Sequence, residues 1–373
     1  MSQKLLIISD TKMQNSNGLW HGFNSVVLEL GVFQITFDKI TWIGSDYSHE
    51  KVNKALLAIP SDIRCIALPV IGGKSLWKKL ISFPNGMLYA YYIFKELPKA
   101  DIIHVRGPNA VMFIAMLIAP FFKKKKWWFK YATNWVNQET PFFRGIQKLL
   151  MRRYSFSIGT INGNWPHEPN HIKTFENPCI TETQLSLGSS LNKDFYGPFK
   201  LVFAGRLESA KGIDLLIDSL ASLPKNKINE WVFIGDGPLK GSLKTELLCQ
   251  GFNARVLGFV SPKVVHEELK EAHFLILPSR SEGFPKVIAE AWNYGCIPIS
   301  SAVGSIPHYL DDGVNGFIIS KLKMEGIAQT INKVLNSDPQ SLDVISKKGN
   351  NMAKRFTFEH YLQHLKESVF GDY

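Results

Sequence analysis

Short apolar runs recur along the whole chain, each followed by a segment of helical character, and this alternation constrains the fold more than any other feature. In the first half the runs are KLLIIS (4–9), KITWIG (39–44), DIIHV (101–105), KWWFKY (126–131) and FSIGTI (156–161). The second half restarts with KLVFAG (200–205) and continues through WVFIGD (231–236), ARVLGF (254–259), HFLILP (273–278), CIPISS (296–301) and NGFIIS (315–320). Strands that alternate with helices build parallel sheets covered on both faces. A chain of 373 residues can form two such domains, each with its own core. The stretch SLGSSLNKDFYGPF (186–199) is rich in Ser, Gly and Asn and reads as a linker. The predicted class is therefore α/β: one Rossmann-like parallel-sheet domain over 1–185, a linker over 186–199, a second such domain over 200–355, and a terminal helical segment over 356–373. The two domains are expected to face each other across a cleft.

Composition narrows the setting. At 45% hydrophobic and 20% charged residues the chain is globular rather than disordered. Cys65, Cys179, Cys249 and Cys296 form no C-x-x-C pair, which speaks against a disulfide framework or a zinc site and fits a reducing cytosol. Lys4–Ser9 reads as a strand, with none of the regions of a signal peptide. The apolar stretch AVMFIAMLIAPFF (110–122) is too short to span a bilayer and reads as a buried helix.

Charge is unevenly spread. Residues 1–180 hold 22 Lys+Arg against 11 Asp+Glu, whereas residues 181–373 hold 21 of each. The excess concentrates in KSLWKKL (74–80), KKKKWWFK (123–130) and RGIQKLLMRR (144–153). Basic residues among Trp and Leu suit an anionic membrane surface, with rings at the headgroups and lysines on the phosphates. The alternative is a soluble basic face flanking a buried WWF strand. No helix-turn-helix, zinc-finger or RNA-binding signature accompanies the charge, so nucleic acid is not an expected partner.

The chemistry concentrates in SEGFPKVIAE (281–290). The run FLILP (274–278) is a buried strand that Pro278 ends; 279–284 is a loop; Pro285 opens a helix that Gly295 stops. Glu282 then lies at a strand-to-helix crevice, where ligands bind in open α/β sheets, and Glu290 lies inside the helix. Carboxylates so placed accept hydrogen bonds from sugar hydroxyls. Upstream, GRLESAKG (205–212) joins a strand to a helix start, which attracts phosphate. Arg206 adds a planar fork and Lys211 a point charge, both suited to a diphosphate. The spacing of IGDGPLKG (234–241) misses the dinucleotide-binding pattern, because its third glycine comes one position late. The acid pair Asp311–Asp312 precedes GVNG and reads as a turn, not a metal site.

These motifs, with LGFV (257–260), the run from Leu277 to Pro307 and DDGVNGFII (311–319), occur in an order and spacing that resembles the GT-B fold retaining glycosyltransferases of family 4, the glycosyl transferases group 1. The resemblance runs over roughly 200–319. It implies two Rossmann-like domains, a terminal helix that packs back on the first domain, and a nucleotide-sugar donor bound by the second. It further implies that Arg206 and Lys211 neutralise the leaving nucleoside diphosphate, that Glu290 holds the ribose, and that Glu282 touches the transferred sugar with support from the backbone of Gly283 and Phe284; Gly205 is a further candidate donor contact. Where many members have a glycine pair after the first strand, this chain has Gly18 and Gly22, and Gly18 is a candidate donor contact. Where many have His-x-His, it has His104 and Arg106. Arg106 stays protonated and cannot be a general base, but it suits an anionic sugar or acceptor phosphate. His21 is a second candidate substrate contact, and the loop ATNWVNQE (132–139) a candidate lining of the acceptor cleft. Ser305 and His308 stand where the family often has Gly and Glu.

The reading is a metal-independent glycosyltransferase, with anomeric retention implied by the resemblance. It moves a sugar from a nucleotide donor to a growing, lipid-linked cell-surface glycan, as a cytoplasmic enzyme peripheral to the inner face of the plasma membrane. The rivals are a nucleotide-sugar epimerase of related two-domain fold and a non-catalytic partner subunit that retains the fold.

Overall fold

The computed structural model describes residues 3–50, 56–71, 83–135 and 142–371. The basic segment 74–80 and the end of the 132–139 loop lie outside them. The chain divides into two compact units, Met1–Phe175 with Leu362–Tyr373, and Glu176–Tyr361.

The first unit carries strands β1 (Lys4–Ser16), β2 (Leu19–Phe23), β3 (Lys39–Asp46), β4 (Leu56–Ala58), β5 (Ile63–Leu68), β6 (Ile102–Gly107), β7 (Lys126–Tyr131), β8 (Ser157–Ile161) and β9 (Ile172–Thr174). Its described helices are α1 (Asn24–Phe33), α2 (Phe83–Glu96), α3 (Ala110–Ile118) and α4 (Phe142–Arg153). The parallel part of the sheet runs β5-β3-β1-β6-β7-β8-β9, and β2 and β4 add an antiparallel extension. Helices α2, α3 and α4 connect strands that step in one direction, which sets them on one face of the sheet. Tyr89, Ile93, Met112, Ala115, Trp127 and Phe129 are buried there in one core cluster.

Trp127 and Trp128 are 2% and 1% exposed. Successive strand residues point to opposite faces, so the two rings enter two different cores. Trp127 stacks with Phe129, while Trp128 meets Phe33 of α1 and Phe370. The expectation that these rings sit at lipid headgroups is therefore corrected: WWF is core. Two of the adjoining lysines also serve the fold. Lys125 donates to the Ala100 carbonyl at 2.6 Å and Lys126 to that of Phe370 at 3.1 Å.

The second unit contains α5 (Glu182–Ser189), β10 (Phe199–Ala204), α6 (Ile213–Ser219), β11 (Ile228–Ile234), α7 (Lys240–Cys249), β12 (Ala254–Gly258), α8 (Pro262–Glu271), β13 (Phe274–Leu277), α9 (Lys286–Asn293), β14 (Ile297–Ser301), β15 (Phe317–Ile319), α10 (Met324–Leu335) and α11 (Pro339–Ala353). A last helix, α12 (Phe358–Leu365), spans the boundary at Tyr361. Its sheet is wholly parallel, in the order β12-β11-β10-β13-β14-β15.

The stretch 186–199 is not a free linker. Residues 182–189 are helical and start with a capping box between Thr181 and Gln184. Asn293 donates to the Gln184 carbonyl, Lys193 donates to the carbonyl of Ala272, and Phe195 is buried. The division between units falls earlier, at Phe175/Glu176.

Candidate active site

In the second unit β10 pairs with both β11 and β13, and the chain leaves these central strands toward opposite edges. This is a topological switch point, where the crevice beyond the carboxyl ends is open to a ligand. The loops 205–212 and 278–285 meet there. Leu207 donates its N–H to Asp236 O, and Leu239 donates to Leu207 O, so the first loop is tied to the turn after β11. Gly212 has φ +67°, and a Cβ on it would lie 1.8 Å from the Pro278 carbonyl oxygen. Only glycine allows this contact between the two loops. Arg280 closes it with a two-pronged ion pair to Asp214, at 2.7 and 2.9 Å.

The clamp brings Lys211 and Glu282 together. Lys211 Nζ donates to Glu282 Oε1 at 2.6 Å, and Ser279 Oγ donates to the same oxygen at 2.7 Å. Arg206 lies on the same loop, 72% exposed at its side chain and paired, among the described residues, with Glu208 at 3.0 Å. Beyond Glu282, Ser305 donates both N–H and Oγ–H to the Gly283 carbonyl, at 2.9 and 2.7 Å. This fixes the turn while leaving the N–H groups of Gly283 and Phe284 with no hydrogen-bond acceptor among the described residues. The Phe284 ring is buried against Phe356, so only its backbone faces the crevice. Two cations beside two N–H groups without an acceptor among the described residues fit a diphosphate. The helix start contributes less than the sequence suggested. Ser209–Lys211 form a 3₁₀ turn, Gly212 is left-handed, and α6 has only seven residues.

Glu290 lies in α9, whose observed span Lys286–Asn293 follows the Pro285 and Gly295 signals. Among the described residues its carboxylate accepts no hydrogen bond and forms no ion pair. Burial raises its pKa to about 7, against the opposing pull of Lys286. A carboxylate so placed has free capacity for a pair of hydroxyl donors.

The first unit has its own switch point, between β1 and β6. Arg106 ends β6 there. It is not free: its guanidinium donates to Glu29 Oε1 at 2.8 Å, and Lys130 donates to the same oxygen at 2.7 Å. Burial alone would raise the Glu29 carboxyl, but Arg106 and Lys130 outweigh it and hold it well below the usual range. His104 is fully buried and stacked on Trp128 at 3.6 Å; burial and then the Arg106 charge push its pKa well below the ordinary value. It is a packed strand residue. Asn109 bridges the two strands by donating to Asp10 and to the Arg106 carbonyl, while its Oδ1 caps α3 at Met112 N–H.

Gly18 does not occupy a loop at the mouth of the sheet. It sits with Asn17 at the tip of the β1–β2 hairpin, both residues at positive φ, with Ser16 opposite Leu19. A two-residue Asn-Gly turn of this hand matches the strand twist. His21 lies in β2 opposite Gln14, with Nδ1 3.2 Å from the Leu19 carbonyl oxygen.

Residues 192–352 match the family model of the glycosyl transferases, group 1. The chain is similar to glycogen synthase from Thermodesulfovibrio yellowstonii, 27% identical over 219 residues, 54% of this chain and 43% of that protein. It is also similar to D-inositol 3-phosphate glycosyltransferase from Mycolicibacterium smegmatis, 30% identical over 178 residues, 45% of this chain and 39% of that protein. The chain thus spans about two fifths of the length of these relatives. Among solved structures, Anabaena HepE in complex with UDP and glucose superimposes with a TM-score of 0.69 at 16% identity, covering 99% of both chains. The fold is GT-B, with a parallel-sheet Rossmann-like domain in each unit.

The group 1 region contains Arg206, Lys211, Glu282 and Glu290, whereas Gly18, His21 and Arg106 lie outside it. Three contributors have no role that the sequence assigns. Ser279 and Ser305 orient Glu282 and Gly283, and Arg280 fixes the loop that carries Lys211. All three lie inside the run from Leu277 to Pro307, but a serine or a loop arginine gives no pattern of its own.

Proposed function

We propose that the protein is a glycosyltransferase that moves a sugar from a nucleotide-sugar donor to a growing, lipid-linked cell-surface glycan, with retention of configuration and without a metal ion. The observation that carries this reading is the meeting of Lys211 and Glu282 at the switch point, beside Arg206 and the N–H groups of Gly283 and Phe284. The similarity to HepE, whose crystal structures hold UDP, glucose and UDP-glucose, supports a nucleotide-sugar donor.

Cleavage of the bond from the anomeric carbon to the donor phosphate develops negative charge on the departing diphosphate. Arg206 and Lys211 stabilise that charge where it forms and stand in for a metal ion. Glu290 accepts hydrogen bonds from the ribose hydroxyls, and Glu282 orients the transferred sugar. The acceptor hydroxyl attacks the anomeric carbon, and its proton passes to an oxygen of the leaving phosphate, so the site requires no protein base. The enzyme acts as a cytoplasmic protein peripheral to the inner face of the plasma membrane; among the described residues no helix is long and apolar enough to cross a membrane.

A donor screen with UDP-, GDP- and ADP-sugars, read by thermal shift and then by product formation, tests the reading. Transfer to a saccharide acceptor is the expected outcome. Interconversion of the free nucleotide sugar would favour an epimerase, and no nucleotide binding a non-catalytic subunit.

A further inference from the structure

The first unit exposes an apolar surface on the outer side of α2, α3 and α4. On α2 the outward residues are Met87, Leu88, Tyr91 and Phe94, spaced at one helical face, and Met87 is 64% exposed. This is the side of an amphipathic helix that normally carries charge. Beside it, α3 contains no charged residue and turns Leu117 outward, and the short turn after α3 exposes Phe121 at 80%. The two ridges touch at both ends. A Cβ on Gly86 would lie 3.6 Å from Ile114 Cδ1, and the rings of Phe94 and Phe122 are 5.7 Å apart. Phe143 of α4, exposed along with Phe142, meets Phe113 at 5.9 Å and carries the surface to a third helix. Soluble monomers rarely leave apolar side chains of three adjacent helices in water together.

The charge on these helices that is not paired with an acid is cationic. Lys95 closes α2 beside Tyr91 and Tyr92, Lys123 and Lys124 follow Phe121 and are exposed, and Arg144 and Arg153 stand on α4, whose Arg152 is paired with Glu168. The acid of α2, Glu96, is buried and paired with Arg64 and Lys99, and α3 and α4 hold none. An apolar centre with a cationic border and no exposed acid on its helices is complementary to one surface: a bilayer that carries anionic phospholipid.

We infer that the outer face of α2, α3 and α4 docks on anionic membrane, with Met87, Tyr91, Phe94, Leu117 and Phe121 entering the headgroup layer and Lys95, Lys123 and Lys124 on the phosphates. The rings that insert are these, and not Trp127 and Trp128, which are core. This assignment gives a surface to the peripheral location proposed above, and it does not depend on the donor site.

The test is sedimentation of the full chain with phosphatidylcholine vesicles, with and without phosphatidylglycerol. The wild type is expected to partition to the anionic vesicles and to be released by high salt. Lys123→Gln with Lys124→Gln leaves the fold alone and should lower partition about tenfold. Tyr91→Ser with Phe94→Ser and Phe121→Ser replaces exposed side chains, so the fold should persist by circular dichroism, and partition should fall about tenfold or more. Nucleoside-diphosphate binding by both variants should match the wild type, which separates failure of the docking surface from failure of the donor site. Absence of wild-type binding to anionic vesicles, equal binding to neutral ones, or unchanged binding by folded variants would overturn the inference. A wild-type dimer that these substitutions dissociate, with no vesicle binding, would overturn it in favour of a second copy of the chain.

Discussion

Lys211 and Glu282, 71 residues apart in the chain, share a hydrogen bond of 2.6 Å across the mouth of the second unit's sheet. The ammonium proposed to meet the diphosphate is paired with the carboxylate proposed to meet the sugar. A donor must therefore draw Lys211 from Glu282 or share it.

Glu282→Gln removes this competition. The affinity for a nucleoside diphosphate should rise about two- to tenfold, because the charge near the phosphates becomes more positive. Turnover should fall by a larger factor, since the sugar loses an orienting partner. Calorimetry with the diphosphate and steady-state kinetics with the donor sugar measure the two effects. A parallel loss of both would show that Glu282 acts only through folding.

Arg206→Ala and Lys211→Ala should each lower turnover about a hundredfold, while the melting temperature stays within a few degrees. Both side chains are partly or mostly exposed, so the fold depends on them little. Activity should survive EDTA. Strict dependence on a divalent ion would contradict the role given to these cations.

Glu290 sets a pH dependence. Its folded pKa of about 7 lies above the ordinary glutamate value of about 4.3, so the native state holds the proton more tightly than the unfolded chain. The stability from this group is complete below about pH 4.3 and is lost as pH rises through about 7. Glu290→Gln should therefore gain on the wild type at pH 8 and not at pH 4. Ribose hydroxyls favour the ionised carboxylate, so nucleotide binding near pH 7 should release a proton from Glu290. Calorimetry in buffers of different ionisation enthalpy, wild type against Glu290→Gln, isolates that proton from those of the nucleotide.

Arg106→His introduces the residue commoner at this position, but the structure makes it a stability variant first. It removes one of two cations from a carboxylate that is 2% exposed, and should cost about 2–4 kcal/mol by urea unfolding. Lys130 still neutralises Glu29 at 2.7 Å in this variant, so it should remain folded. A raised KM for an anionic acceptor in the folded variant would place Arg106 in the site.

Much of the second unit was legible because its signals are local. FLILP is a short apolar run that Pro278 ends, Pro285 opens α9 and Gly295 closes it, so the strand, loop and helix carrying Glu282 and Glu290 follow from neighbours in sequence. The first unit was less legible. Asn17-Gly18 is a hairpin turn, but its flanks KMQNS and LWHGF lack clean alternation, so the apolar run marks the first strand only to Ser9. Strand β5, IRCIAL, was missed because Arg64 and Cys65 interrupt its apolar run. Arg106 was read as available to a ligand because its partner Glu29 lies 77 residues away on a helix. Periodicity reports which face is buried, and gives no sign of an ion pair closed between distant elements.

The second unit's crevice is proposed to be a nucleoside-diphosphate site. Isothermal titration of the wild type, Lys211→Ala and Glu290→Ala with UDP, GDP and ADP in the presence of EDTA tests it most directly. One diphosphate should bind the wild type at a single site, and each variant should bind it about tenfold or more weakly, the loss expected for a hydrogen bond to a charged group. Failure of all three nucleotides to bind the wild type, or equal affinity in the folded variants, would contradict it.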